Sequence, residues 1–288
     1  MRVIFIGDIH AFAPSLAWRY WLSKCALGWL NMKLNPNRKF NFNLWPGTLQ
    51  RMRELNPDWV LCSGDLTQLA MDEEFAMVIK PWRLTLGHCR TVVVPGNHDR
   101  YTHRSVREKT FEKCLGDLAS STYPYWQRLT DHWHLLALDS TCTHLLDATG
   151  SIGDAQLQAV AERITTLTPD DGLLLLTHYP VLLPPGRRDT PGHKLRDSME
   201  LRKILSQCRA RIIYLHGHVH EPWSFRVKEP TLAHLHMLNA GCPLRCSSEF
   251  PQGQGFWELH LPDLGKQPVR LTRHRLVCDQ WQTIEESI

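Results

Sequence analysis

Seven side chains suited to hard metal ions recur along the chain in one setting. Asp8 and His10, Asp65, Asn97, His178, and His218 and His220 each stand just beyond a short apolar run. Carboxylates, imidazoles and one amide, with no thiolate among them, suit Mn²⁺, Fe²⁺ or Zn²⁺ better than a soft-metal or iron–sulfur site. Seven ligands are too many for one ion. With one carboxylate bridging, they suit two divalent ions about 3.5–4 Å apart. A single D-x-H or H-x-H is more often a hydrogen-bonded turn, and Asn97-His98-Asp99 read alone could be an Asx-type turn. Recurrence behind five apolar runs is not explained that way.

The elements that must position these groups are short and locally readable. Thr91-Val92-Val93-Val94 is a β-favouring run that Pro95-Gly96 stops abruptly, leaving Asn97, His98 and Asp99 at the strand end. Residues 2–7, 59–62, 134–137, 173–176 and 211–215 read as further strands, and 48–55, 73–86, 154–167 and 196–208 as helices. Loops after such strands converge beyond the carboxyl ends of an open α/β sheet. From His234 to Trp281 the pattern turns to short alternating strands. The expectation is an α/β fold, a four-layer α/β/β/α sandwich of two mixed sheets flanked by helices, with a helical insertion after the first strand. With no repeat, low-complexity tract or linker, residues 1–288 read as a single domain.

Composition narrows the class. At 43% hydrophobic and 22% charged the chain is an ordinary globular protein. A formal charge of +4, without a basic stripe, gives no reason to expect a nucleic-acid partner. Nine scattered cysteines without a C-x-x-C pair suit reduced thiols in the cytoplasm rather than a disulfide framework. The chain opens directly on a strand, with no signal-peptide pattern and no uncharged apolar stretch of about 18 residues.

The motifs G-D-I-H (7–10), G-D-L-T (64–67), G-N-H-D (96–99), T-H-Y-P (177–180) and G-H-V-H (217–220) resemble, in order, those of the calcineurin-like metallophosphoesterase superfamily. The resemblance implies that Asp8, His10 and His220 hold one metal, that Asn97, His178 and His218 hold the other, and that Asp65 bridges them. It implies a hydroxide between the ions attacking phosphorus in line, generated near neutral pH by the two cations. His98 would then contact the phosphoryl group or protonate the leaving oxygen. Asp99 would orient His98, or else simply cap a turn. A metal-binding scaffold without activity is the competing class.

Two stretches outside the motifs bear on the substrate. Residues 11–47 form an insertion in which Trp18, Trp21, Leu22, Cys25 and Trp29 share a face at helical spacing. Tyr20, Leu27, Leu30 and Leu34 widen that face, and Arg19, Lys24, Lys33, Arg38 and Lys39 flank it. Segment 16–34 reads as ordinary packing, as a lid, or as a peripheral contact with the inner membrane face. Arg187, Arg188 and His193 follow His178 closely and could hold a second phosphate. Together these features point to a diester or pyrophosphate with an apolar portion. The basic aromatic insertion is similar to that of bacterial UDP-2,3-diacylglucosamine pyrophosphatases, which implies a lipid-linked substrate in that case. Class III cyclic-nucleotide phosphodiesterases share the same core.

Overall fold

The computed structural model describes residues 1–34, 40–142, 148–188, 190 and 192–288. Arg38, Lys39 and Asp189 therefore lie outside the described residues. In chain order the first half contains β1 (Arg2–Ile6), α1 (Lys24–Leu34), α2 (Trp45–Glu54), β2 (Trp59–Cys62), α3 (Asp72–Leu86), β3 (Arg90–Val93), α4 (His103–Arg107), α5 (Thr110–Leu115), β4 (Tyr125–Arg128) and β5 (Trp133–Ala137). The second half contains α6 (Asp154–Ile164), β6 (Gly172–Leu176), α7 (Ser198–Leu205), β7 (Arg211–His216), β8 (Trp223–Arg226), β9 (Leu235–Asn239), β10 (Phe256–His260), β11 (Arg270–Val277) and β12 (Gln280–Ser287).

Among the described residues two six-stranded mixed sheets form, in the orders β12-β11-β10-β1-β2-β3 and β4-β5-β6-β7-β9-β8. The central strands β1, β2, β6 and β7 are apolar on both faces because they are covered on both sides. Along β1 and β2, Val3, Phe5 and Leu61 point between the sheets, where they meet Leu174, Leu176, Ile213 and Leu215. The alternate residues Ile4, Ile6, Val60 and Cys62 point outward onto Trp45, Phe75, Val78 and Trp82 of α2 and α3. Leu173, Leu175, Ile212 and Tyr214 do the same toward α6 and α7. Helix, sheet, sheet and helix thus form the four expected layers.

The register sets the site. β1, β2 and β3 run parallel, with Ile6 beside Cys62 and Cys62 beside Val93. The loops carrying Asp8, Asp65 and Asn97 therefore leave one sheet edge side by side. In the second sheet β6 and β7 are parallel, with Leu176 beside Leu215, which brings the loops of His178 and His218 to the matching edge.

Element ends moved where local chemistry intervened. α2 begins at Trp45 rather than Thr48, since Pro46 in its first turn suits the fixed proline φ. α7 spans Ser198–Leu205 rather than 196–208, and its start is set by Asp197, whose carboxylate accepts from Ser151 Oγ and from the Ile152 and Gly153 amides.

The insertion departs most from expectation. Its helix starts only at Lys24, after a 3₁₀ turn over Trp18–Tyr20. The helical phase therefore does not run from Trp18 to Cys25, and the predicted common face splits. Tyr20, Cys25 and Trp29 pack inward with Ala13, Leu69 and Met71. Trp18, Trp21 and Leu22 stay exposed. Among the described residues no helix is long and apolar enough to cross a membrane.

Candidate metal centre

The strand-end loops bring all seven of the singled-out side chains together in two abutting groups. In the first, Asp8, His10, Asp65 and His220 offer ligand atoms that all lie within 4.8 Å of one another. His10 Nε2 is 2.7 Å from His220 Nε2, and Asp8 Oδ1 is 3.3 Å from His220 Nε2. In the second, Asn97 Oδ1 lies 3.0 Å from both His178 Nε2 and His218 Nδ1. Asp65 joins them. Its Oδ2 is 3.6 Å from His10 Nε2 and 3.4 Å from His178 Nε2.

The loop backbones are bent to make this possible. Asp8, His10, Asp65, His218 and His220 all occupy the left-handed region, with φ of 52°, 54°, 52°, 72° and 55°. Non-glycine residues rarely sit there, and clustering of such strain accompanies functional sites. Two glycines make room: a Cβ on Gly96 would overlap the Asp65 carboxylate, and one on Gly217 would overlap that of Asp8.

Surrounding hydrogen bonds decide which imidazole nitrogen faces inward. His178 Nδ1 donates to the Ser63 carbonyl at 2.8 Å, which aims Nε2 at the centre. His218 does the reverse, donating through Nε2 to the His193 carbonyl at 3.0 Å, so Nδ1 faces Asn97. The Asp8 carboxylate is held by the His218 amide at 2.9 Å and that of Asp65 by the His98 amide at 2.8 Å.

Electrostatically the pocket suits a cation. Burial pushes Asp65 well above the usual carboxylate range, and the neighbouring Asp8 and Asp99 push further. Burial holds His10 and His218 well below the usual imidazole value, reinforced by neighbouring histidines. Neutral imidazoles are the form that binds metal, and buried carboxylates without a countercharge are costly. The donor set therefore fits divalent ions.

A cavity of about 320 Å³ opens over this cluster, lined by His10, Phe40, Asp65, Gln68, Asn97, His98, His193, His218, His220 and Arg245 among others. His98 stands at its wall. Its Nδ1 donates to the Gln68 carbonyl at 2.7 Å, and its ring stacks on Tyr101 with centroids 6.0 Å apart. The expectation that Asp99 orients His98 is corrected here. The Asp99 carboxylate accepts from the Gly96 and Thr67 amides and from Thr67 Oγ1, so it braces the turn, and a backbone carbonyl orients the imidazole instead. Burial pushes the Asp99 carboxyl up to about 6.

Of the residues expected to hold a second phosphate, His193 reaches the cavity. Arg187 does not line it: the guanidinium pairs with Glu221 and lies 5.2 Å from the centre of the Trp223 ring. Arg188 is exposed and likewise absent from the lining. Sequence reasoning overlooked Arg245. One signal was available, since 235–239 is a further apolar run and Asn239-Ala240-Gly241 closes it. β9 pairs parallel to β7, so the loop after it opens at the same edge.

Comparison with known proteins agrees with this geometry. Residues 1–222 match the family model described as Calcineurin-like phosphoesterase. Two curated relatives are named 3',5'-cyclic adenosine monophosphate phosphodiesterase CpdA. That of Haemophilus influenzae is 26% identical over 170 residues and that of Vibrio vulnificus 26% identical over 172, covering 57% and 59% of this chain. The chain spans only 55% and 57% of those relatives' own lengths. The crystal structure of a dimetal phosphatase from Danio rerio is similar with a TM-score of 0.64 at 14% identity, over 94% of each chain. Likeness at that identity is one of fold.

Proposed function

The chain belongs to the calcineurin-like phosphoesterase family, and from that premise we propose that it is a dinuclear metal-dependent phosphohydrolase cleaving a phosphodiester or pyrophosphate bond. The observation that carries this reading is the place of Asp65, whose Oδ2 stands between His10 Nε2 and His178 Nε2. A carboxylate there is positioned to be shared by two ions. In this reading Asp8, His10 and His220 hold one and Asn97, His178 and His218 the other. Bound ions of the Mn, Fe or Zn kind supply an activated water and the positive charge that eases in-line attack on phosphorus.

The chain's own residues do the rest. The Asp8 and Asp65 carboxylates keep their angles through the His218 and His98 amides. His98, with Nδ1 occupied by Gln68, presents Nε2 toward the leaving oxygen and delivers a proton there. Arg245 and His193, on the cavity wall, meet the part of the substrate that does not react.

For the substrate, the apolar insertion beside the cavity supports a nucleotide-lipid such as UDP-2,3-diacylglucosamine. The activity for which both curated relatives are named supports a second reading, a cyclic nucleotide. Nine free cysteines support a reducing, cytoplasmic setting.

The test is hydrolysis of bis(p-nitrophenyl) phosphate with added Mn²⁺ by the wild type and by Asp65→Asn. Metal-stimulated turnover lost in the variant is expected. No turnover with any of several divalent ions and phosphoesters would leave a metal-binding scaffold. Parallel assays on 3',5'-cyclic AMP and on UDP-diacylglucosamine separate the two substrate readings.

A further inference from the structure

The insertion has one face that is held and one that is not. On the inner side of α1, Cys25 Sγ donates to the Leu69 carbonyl at 3.4 Å and Trp29 Nε1 to the Ala13 carbonyl at 3.2 Å. Gly28 lets the helix approach closely, since a Cβ there would come 2.6 Å from Leu69 Cδ2 and 2.8 Å from Tyr101 Oη. Tyr20 Oη accepts from the Asp72 amide, and Arg19 pairs with Asp72 and Glu73. The segment is anchored, so its outer side is a defined surface.

That outer side is apolar. Leu22 is 104% exposed, Trp18 86%, Leu27 73%, Leu34 70% and Trp21 68%. At about 100° per residue, Leu27, Leu30 and Leu34 point opposite to Cys25, Gly28 and Trp29, and Lys24 and Lys33 fall on the two flanks. Residues 11–47 contain no Asp or Glu and five Lys or Arg, of which Arg38 and Lys39 lie outside the described residues. Single exposed hydrophobics are common, whereas Trp18, Trp21, Leu22, Leu27, Leu30 and Leu34, all exposed on one short anchored segment, form a patch of the kind that marks an interaction surface.

We propose that the outer face of 18–34 docks on an anionic lipid surface. Tryptophans and leucines enter the headgroup boundary while flanking lysines reach phosphate groups, the division of labour of an interfacial helix. Charge favours lipid over a second copy of the chain. A self-interface through this face would set Lys24 and Lys33 against their own copies with no acidic partner in 11–47, whereas an anionic bilayer neutralises them. The inference stands apart from the hydrolytic reading, because its test measures binding alone.

The full chain is sedimented with vesicles of mixed phosphatidylglycerol and phosphatidylcholine, and with vesicles of phosphatidylcholine only. Two variants accompany it, Trp18→Ser/Trp21→Ser/Leu22→Ser and Leu27→Ser/Leu34→Ser, with circular dichroism checking that each stays folded. Wild type is expected to pellet with the anionic vesicles. It should bind at least about tenfold more weakly to the neutral ones, and each variant at least about tenfold more weakly to the anionic ones, a change of about 1.4 kcal/mol. Wild type remaining in the supernatant, or variants pelleting as it does, overturns the proposal. So does lipid-free self-association that the same substitutions abolish.

Discussion

Phe40 pairs with Arg245 in an isolated antiparallel bridge at the edge of the site cavity, continued by the Asn41 amide donating to the Leu244 carbonyl at 2.8 Å. The end of the insertion is thereby tied to the loop after β9, and both residues line the cavity. The Phe40 ring sits 4.9 Å from that of His10, so the insertion supplies a wall of the centre itself. Arg245 also faces a neighbouring groove with Glu221, Phe250 and Gln254.

From this pairing, Arg245→Ala is expected to raise KM for a substrate with a second phosphate by roughly 10- to 100-fold. That is the size of a lost charge-assisted hydrogen bond of ~1.5–3 kcal/mol. Bis(p-nitrophenyl) phosphate, with no second phosphate, should be cleaved almost as before. Steady-state kinetics on both substrates checks the split, and equal losses on the two would place Arg245 in some other role.

His98 is expected to act on the reaction and not on metal retention, because its Nδ1 is committed to the Gln68 carbonyl and its ring packs on Tyr101 and edge-on against His10. The Asp65 carboxylate is held by the His98 backbone amide, which His98→Ala keeps. His98→Ala should lower kcat by roughly 10²–10⁴. Metal content, measured by elemental analysis after gel filtration, should stay at the wild-type value.

Crowding of Asp8, Asp65 and Asp99 in one buried pocket sets metal-free stability against metal binding. With chelator present, Asp65→Asn is expected to melt no lower than the wild type, since a repelled carboxylate has been removed and an amide Oδ1 can still accept from His98. Saturating Mn²⁺ should then stabilise the wild type, by about 2.7 kcal/mol per site at a hundredfold excess over Kd, and the variant far less. Scanning calorimetry with and without metal reads both effects.

Acid sensitivity should trace to Glu258, far from the centre. Burial opposes its ionisation, but hydrogen bonds from His274 and His260, each 2.7 Å, outweigh that and hold its carboxyl down at about 2. Arg2 Nε lies 2.8 Å away as well. A carboxyl lowered from 4.5 in the unfolded chain stabilises the fold above pH 4.5, and this contribution is lost as pH falls toward 2. Glu258→Gln should lower stability by about 1–3 kcal/mol at pH 6 and flatten the decline between pH 4.5 and 2.5. Urea titrations of both proteins at pH 6, 4.5 and 2.5 test it.

The strands and the residues that follow them were legible from the chain alone because both signals are local. A run such as Leu173-Leu174-Leu175-Leu176, short and preceded by Asp171-Gly172, reads as a buried strand, and the ligands come within a few residues of its end. Parallel register then does the gathering, so strand ends alone suffice to group Asp8, Asp65, Asn97, His178 and His218. What the folded molecule alone decided involves partners distant in sequence. Asp99 bonds to Thr67 rather than to its neighbour His98, Arg187 is drawn off to Glu221, and Arg245 comes to the cavity through Phe40. The insertion's two faces belong here too, because which side a helix buries depends on the surface that receives it. That surface includes Leu69, Met71 and Tyr101, and no periodicity within 11–47 could reveal it.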